Sequence, residues 1–437
     1  MIKMLAEKLE NKTIENRDTV PVSLNKLIAA LSAAVDLAGS SDRKHSLRTA
    51  YIATRLASNM SMKKAEVDNI YYAALLHDLI PAQSYFNQSL IFEILGNLPL
   101  SSQVAKQVVA LWQYKQGNGI ASRLGHLSLS ERIIYLAECF ENQYCNGESE
   151  EYLLRRSLSN WSNRVAAAAD KKIAAALADC LREEAFWQDL KENRVQRALE
   201  QMAPDWRQQL NIDDLEKVSR SFSLLIDRKN PYTGQHSQRV GMIAGCCARL
   251  YGLDSAMSRR VSIAGYLHDL GKLSIPEVIL DKAGSLTERE MQAIRAHPYD
   301  SYAVLSEIED FTDIARWAGN HHERMDGSGY PWGRSDLTVV DQIVAVADVY
   351  EALTSNRPYR RALSQGDALS LIKKQVAKGK IRLEAYELLE MTVESKNSCK
   401  EADNLANARG SSCWFRVYSG FDAKQIAAEG LKRIDRI

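Results

Sequence analysis

Five of the chain's eight histidines fall between residues 236 and 322, and they come in patterns that suit a metal centre: His236, His268, His297 and the pair His321-His322. Imidazole is the commonest metal ligand and titrates near neutrality. His268 is followed by Asp269 in G-Y-L-H-D-L-G-K, and Asp348 lies in a separate A-D-V-Y-E segment. If the helix ends at His268-Asp269, adjacent residues point about 100° apart. A carboxylate has two oxygens and can bridge two ions, whereas an imidazole ligates one through a given nitrogen. Asp269 therefore takes the bridging role. His236, His268 and Asp348 complete one ion, and His297, His321 and His322 the other. Such a nitrogen- and oxygen-rich set suits iron or manganese, with zinc as the alternative. Two ions with open positions would activate a water for displacement at phosphorus, so no serine or cysteine nucleophile is required.

Around these ligands stand residues suited to a phosphate ester. Lys272 follows His268 at i+4, which on a continuous helix places it on the same side; it is assigned to phosphate contact or leaving-group stabilisation. Asp269 and Lys272 are thus the expected catalytic pair. The turn after His321-His322 reads E-R-M-D-G-S-G-Y-P, and its glycines accept φ > 0 and let backbone approach a ligand. Gly329, Tyr330 and Pro331 are candidate substrate contacts, Tyr330 by stacking on a base or by packing within the turn. Arg357 and Arg360 carry planar forks that match phosphate oxygens and guanine edges, or form structural ion pairs.

The elements that must position these groups are helical. Leu215, Val218, Phe222, Leu225 and Ile226 recur at three- and four-residue steps. Residues 340–353 and 364–376 follow the same pattern, and the alanine-rich stretch 165–180 favours helix intrinsically. An internal repeat is also visible. His45 precedes His77-Asp78 by the interval that separates His236 from His268-Asp269, and Ala137-Glu138 echoes Ala347-Asp348. The first copy has Ile80-Pro81 where the second has Gly271-Lys272, and Trp112-Gln113-Tyr114 where the second has its histidine pair. The expected organisation is an all-α chain of two related helical domains: an eroded copy over 1–150, a stiff helical connector over 151–205, a complete copy over 206–390, and a polar tail over 391–437.

Lysine plus arginine number 56 and aspartate plus glutamate 55, which gives no support for a general DNA or membrane-surface binder. No apolar run is long enough for a transmembrane helix. Seven scattered cysteines without a C-x-x-C pair, behind a charged start, fit reduced thiols in the cytoplasm.

Taken together, H-S-Q-R-V at 236–240, H-D-L-G-K at 268–272, A-H-P at 296–298, H-H-E-R-M-D-G-S-G-Y-P at 321–331 and A-D-V-Y-E-A-L-T-S-N-R-P-Y-R at 347–360 resemble the HD-GYP family, a branch of the HD-domain metal-dependent phosphohydrolases. The resemblance spans about residues 206–385. It implies an HD-type helical bundle, and a phosphodiesterase that opens cyclic di-GMP or 3′,3′-cyclic GMP-AMP to the linear dinucleotide. Members with a third metal carry a glutamate four residues before the first ligand histidine. Tyr232 stands there, so the resemblance implies two divalent ions. The first half resembles a degenerate HD domain, as a regulatory or dimerising partner within a homodimer. The rival readings are a cyclic dinucleotide receptor without turnover, and an HD phosphohydrolase of mononucleotides.

Overall fold

The computed structural model describes residues 19–39, 44–79, 88–116, 121–147, 150–166, 170–204, 209–229, 235–282, 284–356 and 361–406. The first half begins with strand β1 (Thr19–Ser23) and helix α1 (Leu24–Gly39). It continues through α2 (His45–Asn59), α3 (Lys64–Leu75), α4 (Gln88–Gly96), α5 (Ser102–Gln116) and α6 (Leu129–Cys145). Several starts follow from sequence chemistry. Ser128 and Glu131 form a reciprocal capping box at the head of α6, which satisfies orphan backbone donors there.

The connector differs from the stiff link expected. It breaks into α7 (Glu151–Trp161), α8 (Lys171–Arg182), α9 (Glu184–Asp189) and α10 (Val195–Gln201). These pack back on the first half. Phe186 is fully buried, its ring centroid 5.8 Å from Tyr51 and 6.1 Å from Phe140. The Tyr51 hydroxyl donates to Asp189 at 2.9 Å. The apolar faces of these short helices, with Ile173, Leu177 and Trp187 buried, cannot be covered by water and so fold onto α2 and α6.

The second half opens with β2 (Gln209–Asn211), which pairs antiparallel with β1, so the chain is mostly rather than wholly helical. Then follow α11 (Ile212–Lys229), α12 (His236–Leu250), α13 (Ser255–Leu267), a 3-10 turn (Leu270–Ser274), α14 (Glu277–Leu280), α15 (Glu288–Arg295), α16 (His297–Ser306), α17 (Thr312–Gly319), α18 (Val339–Thr354), α19 (Gln365–Ala377) and α20 (Leu383–Ala406). Residues 391–406, expected to open a polar tail, extend α20, and 407–437 lie outside the described residues. The halves are joined by more than the ribbon. Helix α1 of the first half packs on the 3-10 turn and on α16. Lys26 pairs with Glu309 at 2.5 Å.

The second half is organised on the crossing of α12 and α13. Gly265 on α13 lies against Gly241 on α12, and a Cβ at 265 would sit 2.6 Å from the Gly241 Cα. This approach of backbone to backbone draws the start of α12, with His236, toward the end of α13, with His268. Overpacking of this kind forces backbone shifts. Gly265→Ala is expected to cost about 1–3 kcal/mol, read as a lower denaturant midpoint with an unchanged m-value; an unchanged midpoint would contradict this packing.

Candidate metal centre

Each histidine of the second half reaches the centre from the end of an element. His268 caps the C-terminus of α13, His236 and His297 begin α12 and α16, and His321-His322 follow α17 directly. Three rings share one orienting device. The Nδ1 of His268 donates to the Gly265 carbonyl at 2.8 Å, that of His297 to Ile294 at 2.7 Å, and that of His321 to Ala318 at 2.6 Å. A carbonyl only accepts, so Nδ1 carries the proton and Nε2 presents its lone pair. His236 turns its Nδ1 to the buried Glu351 carboxylate instead, which Arg239 also contacts at 3.3 Å.

The lone pairs converge. Asp269 Oδ2 lies 3.6 Å from His236 Nε2 and 3.3 Å from His268 Nε2. Its other oxygen, Oδ1, lies 3.2 Å from His297 Nε2 and 3.9 Å from His321 Nε2. Asp348 Oδ1 joins the first side, 3.2 Å from His236 and 3.9 Å from His268. On the second side His297 and His321 bring their Nε2 atoms to 3.1 Å. Metal–nitrogen bonds of about 2.0–2.1 Å leave neighbouring ligand atoms roughly 3.0–3.4 Å apart. His236, His268 and Asp348 form one group whose ligand atoms all lie within 4.8 Å of one another; His297, His321 and His322 form another.

The electrostatics fit a cation. Burial holds the His297, His321 and His322 imidazoles below their ordinary range, His322 at about 3, so they are neutral ligands. Burial alone would raise Asp269, but His268 and Lys272 hold its carboxyl well below the usual range. Asp348 is likewise ionised despite burial, through its contact with His236. His268 Nε2 and Asp269 Oδ1 are buried and have no hydrogen-bond partner among the described residues. Orphaned polar atoms at such a point are costly. The donor set therefore fits divalent ions.

Two geometric premises of the sequence reading are corrected. Asp269 is not helical: α13 ends before it, and the next residues form a 3-10 turn with three residues per turn. Lys272 accordingly lies over Asp269, at i+3, rather than over His268; its Nζ meets Asp269 Oδ2 at 2.6 Å. Ser301, which sequence reasoning passed over, ties this turn to α16. Its hydroxyl accepts from Gly271 N at 2.8 Å and donates to the His268 carbonyl at 2.7 Å. Gly271 packs so closely on the start of α16 that a Cβ would lie 2.8 Å from Ser301 N.

The turn after His322 is closed on itself. Gly327 takes φ +74° as expected of its type, but Gly329 does not; a Cβ at 329 would sit 2.5 Å from Arg324 N, so this glycine accommodates its own loop. Tyr330 packs its ring on His322, centroids 4.8 Å apart, with the Arg295 guanidinium 5.6 Å from the ring centroid and its hydroxyl buried. The ring is engaged in packing within the turn, and Pro331 follows through a cis peptide bond. Glu323 organises the segment: its buried carboxylate accepts from the backbone N–H groups of Trp332, Gly333 and Arg334 at 2.7, 3.1 and 2.9 Å. Arg316 and Asn320 meet Asp341 at 3.0 and 2.8 Å, which joins α17 to the helix carrying Asp348. Arg357 and Arg360, and Tyr232, lie outside the described residues.

Comparison with known proteins accords with this geometry. Residues 43–143 and 220–381 each match the HD domain family. A 3′3′-cGAMP-specific phosphodiesterase 1 of Vibrio cholerae is 26% identical over 84% of this chain and 91% of its own length. A 3′3′-cGAMP-specific phosphodiesterase 3 of the same organism is 30% identical over 65% of this chain, which spans 62% of that relative. A cyclic di-GMP phosphodiesterase response regulator of Xanthomonas campestris is 39% identical over 37% of this chain and 43% of its own length. A crystal structure of a cyclic GMP-AMP specific phosphodiesterase from Vibrio cholerae superposes with a TM-score of 0.56 at 22% identity, covering 85% of this chain and 98% of that one; this likeness concerns the fold.

The Glu323 contacts generate a test. Glu323→Ala would leave three backbone donors without their acceptor, at a cost of about 1–3 kcal/mol. Amide exchange at residues 332–334 should accelerate by the corresponding factor while α13 stays protected. Unchanged exchange there would remove Glu323 from this role.

Proposed function

We propose that this chain, which carries an HD domain in each half, is a metal-dependent phosphodiesterase acting on a cyclic dinucleotide through its C-terminal centre. The observation that carries the proposal is Asp269, whose two oxygens face two separate groups of imidazoles. His236, His268, Asp348 and Asp269 Oδ2 would hold one ion; His297, His321, His322 and Asp269 Oδ1 would hold the other. Bound ions of this kind supply an activated water and neutralise charge on the phosphate oxygens.

The protein's own groups supply position and charge. The three carbonyl-bonded Nδ1 atoms lock each ring so that its lone pair stays aimed inward when the site is empty of substrate. Glu351 does the same for His236 as a charged acceptor. Lys272, whose side chain is 28% exposed, pairs with Asp269; in this reading its ammonium would meet a phosphate oxygen. Gly329, Tyr330 and Pro331 act in this reading by fixing His322 from behind rather than by direct contact with a base. The relatives aligned over the largest shares of this chain carry the cyclic GMP-AMP name, so 3′,3′-cyclic GMP-AMP is the first substrate to assay, beside cyclic di-GMP, with the linear dinucleotide as product. Iron or manganese are the candidate ions for this ligand set.

Anaerobically purified protein should contain two divalent ions in the C-terminal centre and convert one of these nucleotides to its linear form. Asp269→Ala should abolish turnover and lower the bound metal; undiminished turnover would sink the proposal, and tight nucleotide binding without turnover in the metal-loaded protein would favour a receptor. Glu351→Gln keeps the shape but removes the charged acceptor, and is expected to lower metal affinity or turnover by about 10–100-fold, as followed by competition with a chromogenic chelator.

A further inference from the structure

The first half repeats the frame of the C-terminal centre and alters one part of it. Asp36 accepts from Ser46 N at 2.8 Å, as Asp227 does from Ser237 N at 3.0 Å. His45 Nδ1 meets Glu141 at 2.5 Å and Arg48 Nε meets the other Glu141 oxygen at 2.8 Å, the counterpart of His236, Arg239 and Glu351. His77 Nδ1 donates to the Ala74 carbonyl at 2.7 Å, the same i−3 device that orients His268. His45, His77, Asp78 and Glu138 offer ligand atoms within 4.8 Å of one another.

The change lies on the far side of Asp78. In the second half, Asp269 Oδ1 faces His297 and His321 and has no hydrogen bond among the described residues. In the first half, Asp78 Oδ1 lies 2.7 Å from Lys115 Nζ, which also lies 2.7 Å from Glu138 Oε1. Lys115 sits in the last turn of α5, the part of the repeat where the sequence has no counterpart to the His321-His322 pair. Its side chain is 19% exposed, so the ammonium is held in the pocket rather than in water.

We propose that Lys115 stands in this lobe for a metal ion: its ammonium bridges Asp78 and Glu138, offsets part of their negative charge, and lets the lobe keep this arrangement without a divalent cation. The charges agree with this. Asp78, Glu138 and Glu141 are met by Lys115 and Arg48, with His45 between Asp78 and Glu141. A divalent ion among His45, His77, Asp78 and Glu138 would face the ammonium across a single carboxylate, and the two cations would repel. Glu138 Oε2, buried and without a hydrogen bond among the described residues, is 3.8 Å from His77 Nε2 and marks where an ion would enter once the ammonium is removed. The lobe that packs α1 against the turn bearing Lys272 would thus support that turn whatever the metal supply. The inference is independent of the activity proposed above.

The test uses the full chain carrying His268→Ala and His297→Ala, which removes ligands of both C-terminal ions, and equilibrium dialysis against Mn²⁺. With Lys115 in place, no ion should bind in the micromolar range. Lys115→Met should bind a single ion at least about tenfold more tightly, and adding His77→Ala should remove it. Equal Mn²⁺ binding with and without Lys115, whether present in both or in neither, overturns the proposal. Should Lys115→Met fail to fold by circular dichroism, His77→Ala in the otherwise unaltered chain decides: the proposal requires metal content per chain to stay the same, and loss of an ion overturns it.

Discussion

A single buried carboxylate sets the terms for the second half of this molecule. Asp269 is 3% exposed, and each of its oxygens is surrounded by imidazole nitrogens whose lone pairs point at it. In a dry interior such an arrangement of acceptors around an anion is repulsive unless cations lie among them. Lys272 answers for one oxygen. The other has no donor among the described residues, and the surrounding helix ends hold their rings in place all the same. The backbone carbonyls at Gly265, Ile294 and Ala318 supply that rigidity, since each fixes the tautomer and the plane of the ring three residues later. The centre is preorganised by secondary structure, at points where helices end and their last carbonyls are free to accept.

The same frame occurs twice, with different solutions to the same charge problem. An aspartate nine residues before the first histidine fastens the following serine in both halves. A glutamate three residues after the last carboxylate grips the first histidine and an arginine in both. Beyond the His-Asp pair the halves part. One places imidazoles, which are neutral and leave the carboxylate in need of external cations. The other places an ammonium, which carries the cation covalently. Lys272 contacts one oxygen of a single carboxylate, whereas Lys115 spans two, Asp78 and Glu138.

The two halves also depend on each other physically. The β1–β2 ribbon and the Lys26–Glu309 pair tie them together, and α1 covers the turn that follows Asp269. The short helices between residues 151 and 201 belong structurally to the first half, where Phe186 fills the space between Tyr51 and Phe140. The first half therefore supports the turn and the helix that carry part of the centre.

Much of this was legible from residue types alone. Histidines are few and chemically distinctive, so their spacing with His-Asp and Ala-Asp pairs exposed the repeat and the residues that converge on Asp269, while apolar periodicity exposed the helical class. The groups that act through geometry were not. Glu323, Glu351, Ser301 and Lys115 are ordinary polar residues in sequence, and their parts arise only when distant segments meet. The reach of Lys272 depended on where α13 gives way to a 3-10 turn, which propensity does not resolve to the residue. The connector reads as a stiff link in sequence; burial of its apolar faces, with Phe186 packed between Tyr51 and Phe140, folds it back instead. Sequence determines which groups are available to hold a cation; the packing of helix ends determines which lone pairs face one another, because that depends on distances no linear pattern encodes.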